Sequence, residues 1–391
     1  MGGAMGGIET MFDAARRQDE AGLVEKKVLT MPSFTTLGGQ IIRDVRIGYE
    51  TYGKLNARGD NAILIAHYFS GTSHAAGRYA HADTEPGYWD AIIGPGKAID
   101  TERYFVVSAD TLANLNTSDP NVVTIGPASL NPETGKPYGM SFPIVTIRDF
   151  VNVQKALVDA LGIRKLHAVA GPSMGSMQAI EWATAFPDMV ERVVAVIPAG
   201  LEADPYLVGT LNVWTAPILL DPDWNNGDYY GRHGPYKGLA MALKTIVLNG
   251  RHPGWANAAF GRKPATGAGD LLREFSSRYA IEEVLDQAAT SKVCWMDANS
   301  LLYTAKACQH YSLGHQGKVL DAVRRIQASI LLIPAASDLL MLPHYASKAA
   351  ASLRACGKSV EYFELEGDGG HFDGLLAIGQ ADGILRKFLS H

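Results

Sequence analysis

Cysteine is scarce: Cys294, Cys308 and Cys356 are the only 3 in 391 residues. An odd, scattered set forms no disulfide framework, and no His/Cys cluster with zinc-ligand spacing surrounds it. The three read as small buried hydrophobes, and no metal site is expected. A basic excess is also lacking. Lys and Arg number 35 against 40 Asp and Glu, a net charge of −5, whereas a general nucleic-acid binder carries a basic surface. No window reaches the roughly eighteen consecutive apolar residues that cross a bilayer. The Gly-rich start, Met1 to Gly7, has no signal-peptide core, and Gly6 stands where myristoylation needs Ser or Thr. These absences predict a cytoplasmic protein with neither nucleic-acid nor membrane partners. Charged residues make up 19%, but apolar residues reach 47%, enough for a large core in one big domain or two.

What is present has an α/β rhythm. Residues 8–25 read as a polar helix or loose arm. From Val28 on, short β-branched runs alternate with helical patterns. Val45–Tyr49 alternates like a half-buried strand, whereas Ala62–Ala66 is continuously apolar, as a strand covered on both faces should be. Further strands are expected at Tyr104–Ser108, Leu166–Ala170, Val193–Ile197, Ser329–Ile333 and Val360–Glu364. Strands separated by helices imply a mostly parallel sheet. Residues 201–324 break the rhythm with helical patterns and four tryptophans, and read as a helical cap inserted over the sheet edge. The expected division is an arm at 1–27, a core at 28–200 and 325–391, and a lid at 201–324.

The sharpest motif is Gly171-Pro172-Ser173-Met174-Gly175, which lies between a strand and a helix, as a G-x-S-x-G nucleophile turn requires. An ordinary glycine-rich βα turn would look similar without that context. A serine hydroxyl needs a base, and in an α/β hydrolase the chain order is Ser, acid, His. Asp338 follows the strand at Ser329–Ile333, and His371 follows the next strand inside Gly369-Gly370-His371. Asp368 and Asp373 are rival acids, and a helix N-cap is the plainer reading of Asp338. The oxyanion site needs two backbone N–H donors: Met174, directly after the nucleophile, and Phe69, in the loop after Ala62–Ala66.

Longer stretches carry a resemblance. Gly94-Pro95-Gly96-Lys97-Ala98-Ile99-Asp100-Thr101, Gly126–Pro132, Val145–Asp149, Ser173–Trp182 and Asp297–Ser300 make the chain, from about Val28 onwards, similar to homoserine O-acetyltransferases. The resemblance implies an α/β hydrolase fold, a Ser173–Asp338–His371 triad, an inserted helical lid and a homodimer formed largely through the lids. It also exposes departures. The family holds its acceptor's carboxylate with a lid Arg and a Tyr seven residues later; those positions are Leu243 and Gly250 here. An Asp follows the catalytic His in the family, and here Phe372 does. Lys244 points about 100° away from Leu243 on a helix, and Asp373 is displaced by one position.

Without those charged and polar partners, the chain resembles a hydrolase-like branch. The main expectation is a serine carboxylesterase acting on short acetyl-type esters of small uncharged alcohols, with Leu243 and Phe372 lining an apolar pocket and no bound cofactor. The alternative is acetyl-CoA-dependent transfer to homoserine or a related hydroxy compound. A non-catalytic binding protein is the third, and a complete, correctly ordered triad argues against it.

Overall fold

The computed structural model describes residues 23–315 and 317–390; the arm expected over residues 8–25 lies outside them up to residue 22. Eight strands form the main sheet. They are β1 (Lys27–Thr35), β2 (Ile41–Tyr52), β3 (Ala62–Ala66), β4 (Phe105–Ala109), β5 (Leu166–Pro172), β6 (Arg192–Val196), β7 (Ser329–Ile333) and β8 (Val360–Tyr362). Their spatial order is β1-β2-β4-β3-β5-β6-β7-β8. From β4 to β8 every pairing is parallel, while β1 and β2 add an antiparallel edge. The half-buried run at Val45–Tyr49 belongs to the longer β2. The edge strand β1, whose exposed and half-buried residues alternate, was not anticipated.

The central strands are apolar throughout because both faces are covered. Ala62 and Leu64 of β3 face one core cluster, while Ile63 and Ile65 face the other with Trp89 and Phe388. Helix α1 (Ile147–Ala160) starts at a capping box, where Thr146 and Asp149 each satisfy the other's backbone N–H. Helix α2 (Met174–Ala185) is buried from Met174 to Thr184, and its polar members are partnered: Gln178 Oε1 accepts from Gln154 Nε2 at 2.7 Å and Glu181 pairs with Arg148.

Between β6 and β7 run α3 (Pro205–Leu220), α4 (Tyr236–Asn249), α5 (Pro253–Ala259), α6 (Ala280–Val293), α7 (Ala298–Gln309) and α8 (Val319–Arg325). The buried stripe of α3, Leu207, Leu211 and Trp214, joins Phe69, Met174 and Met177 in one core cluster, so these helices pack onto the catalytic edge of the sheet. Asp297 accepts from Ser300 N at 2.7 Å to cap α7, and Asn299 accepts from Trp224 Nε1 at 2.8 Å. The Asp297–Ser300 stretch therefore serves the helical insert itself. After β7 come α9 (Pro343–Ala355) and α10 (Asp382–Ser390). Among the described residues no helix is long and apolar enough to cross a membrane.

Candidate active site

Strand order places the site. The chain leaves β3 to form β4 on one side, then crosses to β5 on the other, which makes β3/β5 a switch point where the carboxyl ends of neighbouring strands open a crevice. The loop after β3 carries Phe69, and the turn after β5 carries Ser173.

Ser173 has φ 57° and ψ −119°, a strained conformation that projects its hydroxyl from the turn. Glycine is needed on both sides of it. A Cβ on Gly171 or Gly175 would collide with the Ala66 carbonyl at the end of β3. The Met174 amide lies in the first turn of α2, where N–H groups have no intrahelical acceptor.

His371 and Asp338 arrive from the ends of β8 and β7. His371 Nε2 lies 2.8 Å from Ser173 Oγ, and His371 Nδ1 lies 2.6 Å from Asp338 Oδ2. The other carboxylate oxygen of Asp338 accepts from Leu340 N at 2.8 Å and Met341 N at 2.9 Å. Thus the turn-forming role weighed for Asp338 and its role beside the histidine coexist, one on each oxygen. Asp338 is 1% exposed, so this carboxylate is shielded from water. The rival acid Asp373 is engaged elsewhere, accepting from Gly369 N at 3.0 Å and Ser337 Oγ at 3.3 Å.

The Phe69 loop is pinned on both flanks. Asn114 Nδ2 donates to Gly71 O at 3.0 Å and to His67 Nε2 at 3.2 Å, and Asn116 Nδ2 donates to Ser70 O at 3.2 Å. Because Asn114 donates to Nε2, the His67 proton sits on Nδ1 and is given to Tyr68 O at 2.7 Å. Burial pushes the His67 imidazole down to about 4, so it is neutral. The Phe69 ring packs edge-on against Trp214, with centroids 5.6 Å apart.

Phe69, Ser173, Met174, Met177, Leu207, Leu211, Trp214, Cys308, Leu340 and Met341 line a cavity of about 20 Å³ at the nucleophile. Leu243 and Phe372, expected to line this pocket, stand outside it. Leu243 is buried in the helical insert, and the Phe372 ring lies beneath the Arg251 guanidinium, 4.2 Å from its Cζ. Lys244 is paired with Asp286 at 2.6 Å and is turned away from the site. The i, i+4, i+7 spacing of Leu207, Leu211 and Trp214 was a legible signal for the apolar wall. Asn114 and Asn116 follow the end of β4 at the same sheet edge, and that position was their signal. Among the described residues no group of three or more His, Cys, Asp or Glu is placed to hold a metal ion.

The arrangement can activate a hydroxyl and hold the resulting imidazolium against a fixed carboxylate. The profile of the alpha/beta hydrolase fold family matches residues 83–377. A homoserine O-acetyltransferase from Deferribacter desulfuricans is 38% identical, over 96% of this chain and 97% of its own length. The solved structure of esterase E22 is 48% identical with a TM-score of 0.90, covering 94% of this chain and 100% of that one. That of homoserine O-acetyltransferase from Bacillus anthracis is 37% identical with a TM-score of 0.90, covering 94% of this chain and 98% of that one.

Proposed function

This chain belongs to the homoserine O-acetyltransferase family of the α/β hydrolase fold, and from that premise we propose that it transfers a short acyl group by way of Ser173. The named curated relatives are acetyltransferases, which supports acyl transfer from acetyl-CoA to the hydroxyl of homoserine or a related hydroxy compound over the hydrolysis expected from the sequence. The observation that carries the acyl-serine reading is the relay from Asp338 through His371 to Ser173, at 2.6 and 2.8 Å.

His371 Nε2 takes the Ser173 proton as Oγ attacks the acyl carbon. The N–H groups of Met174 and Phe69 receive the negative oxygen, and Asp338 steadies the imidazolium. Collapse expels the thiol or alcohol, which leaves with the proton from His371. The acceptor hydroxyl then gives its proton to His371 and attacks the acyl carbon; the Ser173 Oγ–acyl bond breaks, Oγ takes that proton back from His371, and the acylated product leaves the free enzyme. No bound cofactor enters this scheme; acetyl-CoA is a co-substrate.

A second reading, hydrolysis of short acetyl-type esters with water as the acceptor, is favoured by the apolar or small residues Leu243, Gly250 and Phe372 at the positions the family uses to hold homoserine. The 48% identity with esterase E22 supports it too. A homodimer through the helical insert is supported by the outward face of α3 and α4. Leu219, Leu220, Tyr236 and Met241 are all exposed there, an apolar surface of the kind that marks an interface. A cytoplasmic location belongs to the same proposal.

One assay separates the readings. Purified protein receives acetyl-CoA with L-homoserine and, separately, a short acetate ester. Homoserine-dependent CoA release supports transfer. Ester cleavage without CoA release moves the assignment to hydrolysis. Turnover that survives Ser173→Ala would sink the acyl-serine scheme.

A further inference from the structure

Arg251 is the one charged side chain among the residues lining a second cavity, of about 710 Å³, beside the nucleophile pocket. The two cavities share Leu340, which forms part of the wall of each. The guanidinium is held in place by aromatic faces, with Cζ 4.2 Å from the Phe372 centroid and 4.7 Å from that of Trp255. Stacking fixes the plane of the guanidinium without using its hydrogen-bond donors. Its Nε–H is buried and has no acceptor among the described residues. The terminal Nη groups make no hydrogen bond among the described residues either, and unlike Nε they are not buried, so they are the donors an incoming acceptor can reach. Asn249 adds a second donor: its Oδ1 accepts from Trp214 Nε1 at 2.8 Å, which leaves its amide N–H₂ for a ligand.

Among the described residues no carboxylate lines this cavity. Asp373, which bears electrostatically on Arg251, is buried and already takes N–H and O–H donors from Gly369 and Ser337. The site therefore has a charged partner for an anion and no charged partner for an ammonium group.

We infer that Arg251 forms an anion subsite, so that the alcohol handled at Ser173 is a short hydroxy acid carrying a carboxylate and no amine. The inference rests on the acyl-serine reading above and holds for both of its forms. In transfer the hydroxy acid is the acceptor, and in hydrolysis it is the alcohol released. Arg251 follows Gly250 in sequence. It supplies, from a neighbouring position and with different geometry, the carboxylate partner that Leu243 and Gly250 cannot provide. Its bidentate fork suits a carboxylate.

The test compares three acetate esters on the full-length protein: 4-acetoxybutanoate, its neutral amide 4-acetoxybutanamide, and O-acetyl-L-homoserine. The expected kcat/KM is at least about 10-fold higher for the carboxylate than for either of the others. Arg251→Gln is expected to lower the carboxylate-to-amide ratio by about 10- to 100-fold, chiefly through KM, and Arg251→Lys to restore part of it. A ratio that is the same in Arg251→Gln as in the parent protein, or a parent preference for the amide, would overturn the subsite. A binding readout keeps this apart from the chemistry. Titration of 4-hydroxybutanoate into Ser173→Ala protein should give binding that Arg251→Gln abolishes. If that binding is seen while the parent protein neither cleaves an ester nor releases CoA from acetyl-CoA in the presence of 4-hydroxybutanoate, the subsite stands and the acyl-serine reading falls; if it is absent, the subsite falls.

Discussion

Phe372 occupies the space that a side chain on Gly250 would need: a Cβ built on Gly250 lies 2.7 Å from Phe372 Cε2. Two departures from the family pattern that look independent in sequence are therefore one packing decision. Gly250 has φ −77° and ψ −6°, ordinary helical values, so it is the phenyl ring rather than the backbone conformation that a Cβ there would meet too closely. Gly250→Tyr alone is expected to cost about 1–3 kcal/mol through overpacking. Combined with Phe372→Asp, most of that cost should disappear. Denaturant unfolding of the two single variants and the double variant gives the coupling energy directly. Strict additivity would show that the contact does not govern residue choice at 250.

Asp338→Asn should fold and lose activity. The side-chain oxygen of the amide would keep the Leu340 and Met341 N–H bonds that Oδ1 now accepts. The NH₂ group would then face His371 Nδ1, which sits 2.6 Å from the present Oδ2. Donation to Nδ1 moves the imidazole proton to Nε2, the nitrogen that must receive the Ser173 proton. Turnover should fall by about 10⁴-fold with an unchanged circular dichroism spectrum. A loss smaller than tenfold would remove Asp338 from the relay.

The strands of the sheet were legible because two-faced burial writes continuous apolar runs such as Ala62–Ala66, and the nucleophile was legible because strand, glycine turn and helix coincide around Ser173. Asp338 and His371 followed from chain order, since each lies just past a strand end. The edge strand β1 escaped because its alternation of exposed and half-buried residues carries little apolar signal. Arg251 escaped for a different reason. Its role depends on stacking against Trp255 and Phe372, one close in sequence and the other more than a hundred positions away, and on a cavity that exists only after α3 and α4 pack. Leu243 was misplaced by the reverse error, since a buried apolar residue on a lid helix need not face the substrate.

His67 links acid stability to the oxyanion loop. Burial holds its imidazole neutral, with the pKa lowered from 6.5 to about 4. Below pH 6.5 the unfolded chain takes up a proton that the folded state refuses, so stability falls as pH drops from about 6.5 to about 4. Below about 4 both states are protonated and this contribution stops changing. The full excursion is on the order of 3 kcal/mol. Guanidinium unfolding at stepped pH should show the parent protein losing this increment relative to His67→Gln, whose side chain does not titrate. Parallel pH profiles for the two proteins would contradict a neutral buried imidazole.

The cavity beside Ser173 is expected to set the acyl-chain limit of the proposed reaction. At about 20 Å³, walled by Phe69, Leu207, Leu211 and Trp214, it has room for little more than an acetyl group. Trp214 is its largest movable wall, held by its Nε1–H to Asn249 Oδ1 at 2.8 Å and by the edge-on contact with Phe69. Trp214→Leu removes the indole while keeping the surface apolar. The variant is expected to be less stable by about 2–4 kcal/mol, as large-to-small core changes are. Its kcat/KM for a butyrate ester relative to the matching acetate should rise about tenfold, the value of a methylene or two of pocket space. The ratio is the right measurement, because a partly unfolded preparation lowers both rates equally and leaves it unchanged. A parent protein that already turns over butyrate as fast as acetate, or a ratio that Trp214→Leu does not move, would place the acyl chain in a different cavity.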